Sequence, residues 1–146
     1  MAVKAVIDTN IWVSAILNPF GFPSKLLRSF EKGLFQPAIS EPMFLELAEV
    51  LNRSRIKDKY RLTADDIKEL LVLIEEHSEP VLLSGDVNIC HDSNDNMVIE
   101  TAVKGCVEYL VTRDEDIKHD RRVSSYLRKY SISVLFVAKF SSIIEK

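Results

Sequence analysis

Apolar residues along this chain fall in short continuous runs that alternate with stretches spaced as helix faces. Residues 3–7 are apolar apart from one lysine and stop at Asp8, the pattern of a buried strand. Thr9 or Asn10 can cap a helix over 11–17, which Asn18-Pro19 ends. Pro23-Ser24 opens a second helix carrying Leu26, Leu27 and Phe30 on one side, with Gly33 as its stop. Residues 34–39 predict a second strand, short or at a sheet edge because Pro37 cannot donate to a ladder. Ser40 then caps a helix to about Asn52 with a stripe of Phe44, Leu47, Ala48 and Leu51. Thr63 and Asp66 resemble a weak capping box ahead of an Ile67, Leu70, Leu71, Ile74 face. Strands follow at 80–83, 107–112 and 132–137, with helices at 95–104 and 122–129 and a short one at the end. This alternation predicts an α/β fold with a mostly parallel sheet. No repeat, linker or domain boundary interrupts it.

Composition narrows the class. The chain has 146 residues, 47% of them hydrophobic, with only 4 Gly and 5 Pro, which suits one domain with a real core and excludes disorder. No apolar run approaches the ~20 residues of a membrane span. The opening MAVKAVIDTN lacks a signal-peptide layout, so a cytoplasmic location is the expectation. Cys90 and Cys106 have neither CxxC spacing nor partners at zinc-site intervals, and read as reduced packing residues. The net charge of −3 argues at first against an anionic substrate. Setting aside a cluster of four carboxylates would leave the rest of the chain slightly positive, and bound divalent ions would reverse the sign of the cluster itself.

The carboxylates carry the chemical interest. In parallel α/β sheets, sites form beyond the carboxyl ends of the strands. Two predicted strands end this way, in VIDTN at Asp8 and in YLVTRDED at Asp114 and Asp116. One such Asp is ordinarily a cap or turn residue; two, each beside a Thr, point to a site. Asp95 falls inside the Val98, Ile99, Ala102, Val103 stripe of its helix when residues are placed at about 100° intervals. A carboxylate there is either a first-turn residue favoured by the helix dipole or a partly buried ligand. Glu46 lies roughly opposite the stripe of its helix; periodicity does not separate it from Glu49, and solvation is the plainer reading of either. Clustered carboxylates suit Mg²⁺ or Mn²⁺, hard ions that prefer oxygen donors. There is no GxxxxGK[ST], GxSxG or GxGxxG, and His77, His91 and His119 lack HExxH spacing.

Taken together, VIDTNIWVSAIL, SEPMFLELAEVLNR and CHDSNDNMVIETAVKGCVEYLVTRDEDI resemble, in order, the motifs of the PIN-domain family. The resemblance covers nearly the whole chain and is nearest to the subgroup described as toxin components of toxin–antitoxin pairs. It implies a single PIN-like nuclease domain over residues 1–146, an α/β/α sandwich with a mostly parallel central sheet. It selects Glu46 over Glu49 and makes Asp8, Glu46, Asp95 and Asp114 the catalytic carboxylates. Asp8, Asp95, Asp114 and Asp116 are the metal ligands, for Mg²⁺ or Mn²⁺, and Asn10 and Thr112 are supporting groups. The implied activity is metal-dependent hydrolysis of RNA leaving a 5′-phosphate. Implied partners are an RNA substrate, an antitoxin protein and a second copy of the chain in a homodimer. The alternative is a catalytically weak PIN-like module that binds RNA or protein. Two departures from the pattern concern loop shape: His91-Asp92-Ser93 stands where Arg-Asp-Pro is frequent, and Arg113 where Gly is frequent.

Basic residues supply candidate phosphate contacts. One group is Arg53, Arg55, Lys57, Lys59 and Arg61; the other is Lys118, His119, Arg121 and Arg122, favoured because it follows Asp114. Each also reads as a solvated helix end. Tyr60 or Trp12 could stack on a base, although Trp12 in an apolar helix suits the core better. A phospho-acceptor domain also places Asp at strand ends, but the acidic stretch after Thr112 fits it poorly.

Overall fold

The computed structural model describes residues 3–90 and 93–145. β1 (Val3–Ile7) leads directly into α1 (Thr9–Leu17), and α2 (Phe22–Glu31) returns the chain to β2 (Phe35–Ser40). Three helices follow, α3 (Glu41–Leu51), α4 (Ser54–Tyr60) and α5 (Ala64–His77), before β3 (Glu79–Val81). The second half comprises α6 (Ser93–Lys104), β4 (Tyr109–Val111), α7 (Glu115–His119), α8 (Arg121–Arg128), β5 (Ser133–Leu135) and α9 (Val137–Ile144). The five strands form one parallel sheet in the order β3-β2-β1-β4-β5, flanked by helices in an α/β/α sandwich.

That order contains a reversal. The chain steps outward from β1 to β2 and β3, then crosses back to lay β4 on the other side of β1 and continues to β5. Right-handed crossovers therefore send the two sets of connecting helices to opposite faces. The packing agrees, since α6 lies across β1, β2 and β4 while α8 lies on β5. The C-terminal ends of β1 and β4 flank the switch point, where open α/β sheets form their crevice.

β1 is buried from Ala5 through Ile7, as expected of a central strand covered on both faces. A chain of aromatic edges crosses the core: Trp12 to Phe30 (5.3 Å), Phe30 to Phe35 (5.9 Å), Phe35 to Phe140 (5.2 Å) and Tyr109 to Phe140 (5.8 Å). Contacts of this geometry add about 0.5–1.5 kcal/mol each beyond burial. They tie α9 to the first half of the chain.

Several local expectations are corrected. β2 is a six-residue interior strand despite Pro37. The proline is tolerated because β3 begins only opposite Ala38, so at Pro37 the strand is laddered on the β1 side alone. Thr9 does not cap α1; Asp8 occupies the N-cap position and Thr9 is already helical. β3 runs Glu79–Val81 and stops before Leu82, which is 92% exposed. α4 and α7 were not anticipated. Their apolar content is too low to show a helical stripe, and α4 buries no residue. The Thr63 capping box is present in full. Cys90 packs against the core, but Cys106 is exposed, with φ of 53°, in the turn that ends α6. His91 and Asp92 lie outside the described residues.

Candidate functional site

Asp8 is the first residue past β1 and is only 8% exposed. Its Oδ2 accepts a 3.0 Å hydrogen bond from the Thr112 hydroxyl, and its backbone N–H donates to Val111 O at 3.0 Å. Thr112, fully buried at the end of β4, also accepts from the Asp114 backbone N–H at 3.0 Å. One hydroxyl thus orients the Asp8 carboxylate and folds the chain back to present Asp114. On the other flank, the Thr9 hydroxyl donates to Glu46 Oε1 at 2.8 Å, fixing the α3 carboxylate against the start of α1. Glu46 is half-buried and Glu49 exposed. Glu49 turns to a bidentate contact with Arg53 (2.9 and 2.8 Å), so the two glutamates that periodicity left equivalent have different surroundings.

The electrostatics show that these groups share a neighbourhood. Burial pushes the Asp8 carboxyl above the ordinary carboxylate value; the Thr112 hydroxyl opposes this, and the negative charges of Glu46 and Asp114 add to it. Neither Asp8 nor Glu46 takes part in an ion pair among the described residues. Asp95 is half-buried in the first turn of α6. The Cys90 thiol is pushed up to about 11, first by burial and then by the charges of Asp95 and Asp120, with Asp114 adding and Arg122 opposing. Asp95 and Asp114 therefore both act on one thiol. Among the described residues, however, no three His, Cys, Asp or Glu side chains close into a ready metal-binding group.

The remaining sequence-derived residues are placed as follows. Asp116 lies in α7 by its backbone, and its side chain is outside the described part. Asn10 is exposed on the first turn of α1. Lys118 sets its ammonium 5.9 Å from the centre of the Phe136 ring. Arg121 is exposed, and Arg122 Nη2 donates to Ile89 O at 3.2 Å, so it braces the loop before α6. Trp12 is 1% exposed and belongs to the core, not to a base-stacking surface.

A family model described as PIN domain matches residues 4–116. The chain belongs to the PIN-domain family. It is also 27% identical over 126 residues to an uncharacterized protein of Methanocaldococcus jannaschii, covering 86% of this chain and 80% of that protein. The PIN domain is a nuclease-type fold, and in this PIN domain the carboxylates Asp8 and Asp114 flank the switch point of the sheet. No helix among the described residues is long and apolar enough to cross a membrane.

One functional-looking group of this PIN domain went unnoticed in the sequence. Glu100 is 2% exposed and accepts from the Ser84 N–H (2.6 Å) and the Gly85 N–H (3.1 Å), with Lys104 Nζ at 3.2 Å. Burial alone would raise its carboxyl, but those amides and the Lys104 ammonium hold it below the ordinary value. Asn96 completes the bracing of the same loop, its Oδ1 accepting from the N–H groups of Ile89 (2.9 Å) and Cys90 (2.7 Å). The one signal in the sequence was the Glu100–Lys104 spacing, which reads as an ordinary surface i,i+4 pair.

Proposed function

We propose that this chain is a divalent-metal-dependent endoribonuclease acting as a single nuclease domain over residues 1–146. The observation that carries the reading is the state of Asp8: a buried carboxylate at the sheet's switch point, in the field of Glu46 and Asp114, oriented by the Thr112 hydroxyl and without an ion pair among the described residues. Buried like charges of this kind are costly unless a cation compensates them. The donor set is all oxygen, which fits a hard ion such as Mg²⁺ or Mn²⁺ bound largely through its own waters. That mode of binding is compatible with the lack of a closed three-residue group among the described side chains.

In this reading Asp8, Asp95 and Asp114 hold the metal, with Asp116 as a further ligand. When bound, the metal lowers the pKa of water and neutralises charge at the scissile phosphate. The chain's own groups do the positioning. Thr112 keeps the Asp8 carboxylate in one orientation and supports the Asp114 turn. Thr9 holds one oxygen of Glu46, leaving the carboxylate aligned to orient the attacking water and take its proton. Asn10 supports substrate or carboxylate at the start of α1. Lys118, Arg121 and Arg122, following Asp114, contribute positive charge to the RNA backbone. The biological role proposed is that of a toxin in a toxin–antitoxin pair, working as a homodimer in the cytoplasm.

The test is cleavage of labelled single-stranded RNA and DNA by the purified chain, with Mg²⁺, Mn²⁺ or chelator. Metal-dependent cleavage, RNA preferred, with a 5′-phosphate product and loss in Asp8→Asn and Asp95→Asn, is expected. Full activity in either folded variant would refute the site. Binding without cleavage at any metal concentration would favour the alternative, a PIN-like RNA- or protein-binding module. Co-expression with the neighbouring reading frame tests the toxin role, and light scattering tests the dimer.

A further inference from the structure

A cleft of about 490 Å³ opens between the end of α1, the start of α2, the end of α4 and the start of α9, with Arg113, the residue before Asp114, on its wall. Its volume is within the ~300–1,000 Å³ of small-ligand sites. Arg113, Ser14, Asn18, Phe22 and Tyr60 are among the residues that line it. The position of Arg113 follows from the Thr112 turn. Thr112 points inward to Asp8, and the Asp114 N–H bonds back to the Thr112 hydroxyl. The Arg113 side chain leaves on the other side, where Nη1 donates to the Ser14 hydroxyl at 2.6 Å. Ser14 stands five residues beyond Thr9, about 7.5 Å along the α1 axis, and Arg113 joins the cleft to the Thr112–Asp114 turn, although none of the carboxylates lines it.

The lining has the chemistry of a nucleotide site. Arg113 is exposed and takes part in no ion pair among the described residues. A guanidinium steadied by one neutral hydroxyl keeps its charge and most of its N–H groups for an anion. Phe22 and Tyr60 are 52% and 40% exposed on the same cleft, offering rings on which a base can stack. Tyr60 arrives on α4, the basic segment, with the Lys59 ammonium 5.3 Å from its ring centre and exposed Arg61 next in the chain. Arg53, at the other end of that segment, is held by Glu49. The two basic groups of the sequence thus part company: Arg122 braces a loop, while the α4 segment brings an aromatic ring to an arginine adjacent to Asp114.

We propose that this cleft is a nucleotide subsite for single-stranded nucleic acid, with Arg113 on a backbone phosphate and Tyr60 under the neighbouring base. The inference rests on the nuclease reading for the identity of its ligand, and its test is independent of cleavage. Binding of a short fluorescein-labelled single-stranded RNA is followed by anisotropy across a salt series in chelator. Arg113→Met is expected to lose roughly tenfold in affinity and to reduce the slope of log affinity against log salt by about 0.7, the value of one phosphate contact on a single strand. Arg113→Lys should keep the slope. Tyr60→Leu should lose roughly five- to twentyfold with the slope unchanged, as removal of a stacking ring does. Thermal melting verifies that these exposed substitutions leave the fold intact.

Unchanged affinity and slope in Arg113→Met would overturn the subsite and point to a protein-contacting role for the cleft. A wild-type chain that binds with an Arg113-dependent slope but cleaves nothing when Mg²⁺ is added would keep the subsite and remove the nuclease reading. A chain that cleaves but ignores both substitutions would do the reverse. Absence of RNA binding would overturn the subsite.

Discussion

Replacing Thr112 by valine isolates the interaction on which the candidate site is built. The side chain is fully buried, and valine matches its shape while removing the hydroxyl. Two hydrogen bonds are lost, one donated to the Asp8 carboxylate and one accepted from the Asp114 N–H, each 3.0 Å long. A bond to a charged acceptor contributes about 1.5–3 kcal/mol and a neutral one about 1 kcal/mol. The added methyl recovers part of this by burial. The expected cost is about 2–4 kcal/mol, equivalent to a melting temperature about 5–12 °C lower for a chain of this size. The pH dependence follows from the same geometry. Thr112 is the chief influence holding the Asp8 carboxyl down against burial, so its loss raises that pKa further. The cost is then largest at neutral pH and shrinks as pH falls through the raised value and Asp8 takes up a proton. Guanidinium denaturation at several pH values, in chelator, measures it, with Thr112→Ser retaining the bonds as the control. A Thr112→Val protein within about 0.5 kcal/mol of wild type would refute the claim that this hydroxyl organises the site.

Asp8→Asn should stabilise the metal-free protein, since it removes a charge disfavoured by burial and by Glu46 and Asp114. In wild type the raised Asp8 pKa makes stability fall as pH climbs from the ordinary carboxylate value through the raised one; the variant should lose that slope. Melting scans should also show Mg²⁺ or Mn²⁺ raising the melting temperature of wild type and leaving the variant unmoved. A variant less stable than wild type in chelator would contradict the account of crowded carboxylates. Glu100→Gln should cost about 2 kcal/mol, because it weakens the clamp on Ser84 and Gly85. The sign at Glu100 is opposite: its lowered pKa gives stability present above the ordinary value and lost as pH falls through the folded one, so the variant should match wild type in acid and fall behind above it. Gly105→Ala should cost about 1–3 kcal/mol in urea unfolding, because the new methyl would meet Thr101 O at 2.9 Å and Ala38 and Val81 at 3.2 Å. A neutral result would show that α6 can shift against the sheet.

Much of the architecture is legible in the sequence. β1 was bounded correctly because an apolar run ends abruptly at Asp8, and the α5 face was visible because Ile67, Leu70 and Ile74 recur at helical spacing and are all buried. α4 and α7 were not legible, for lack of an apolar stripe, and the interior position of Pro37 depended on where the neighbouring strand begins. At the candidate site, Asp8 and Asp114 were conspicuous as strand-end residues. Glu46 could be told from Glu49 only by resemblance to a family, since both lie off the apolar stripe; in the structure Thr9 meets one and Arg53 the other.

What the sequence determined by itself is therefore the alternation of elements, the parallel sheet and the strand-end positions of Asp8 and Asp114, all properties of local pattern. The tertiary structure decided which of these residues meet. Asp8 and Thr112 are joined across 104 positions because β1 and β4 became neighbours at the switch point. Glu100 is a buried clamp and not a surface ion pair because a distant loop folds over it. Arg113 and Tyr60 share one cleft because the Thr112 turn sends one outward and α4 brings the other in. Spacing along a chain reports which face a residue occupies, whereas burial and charge at a site depend on what is packed opposite, and that is settled only when the sheet closes its order.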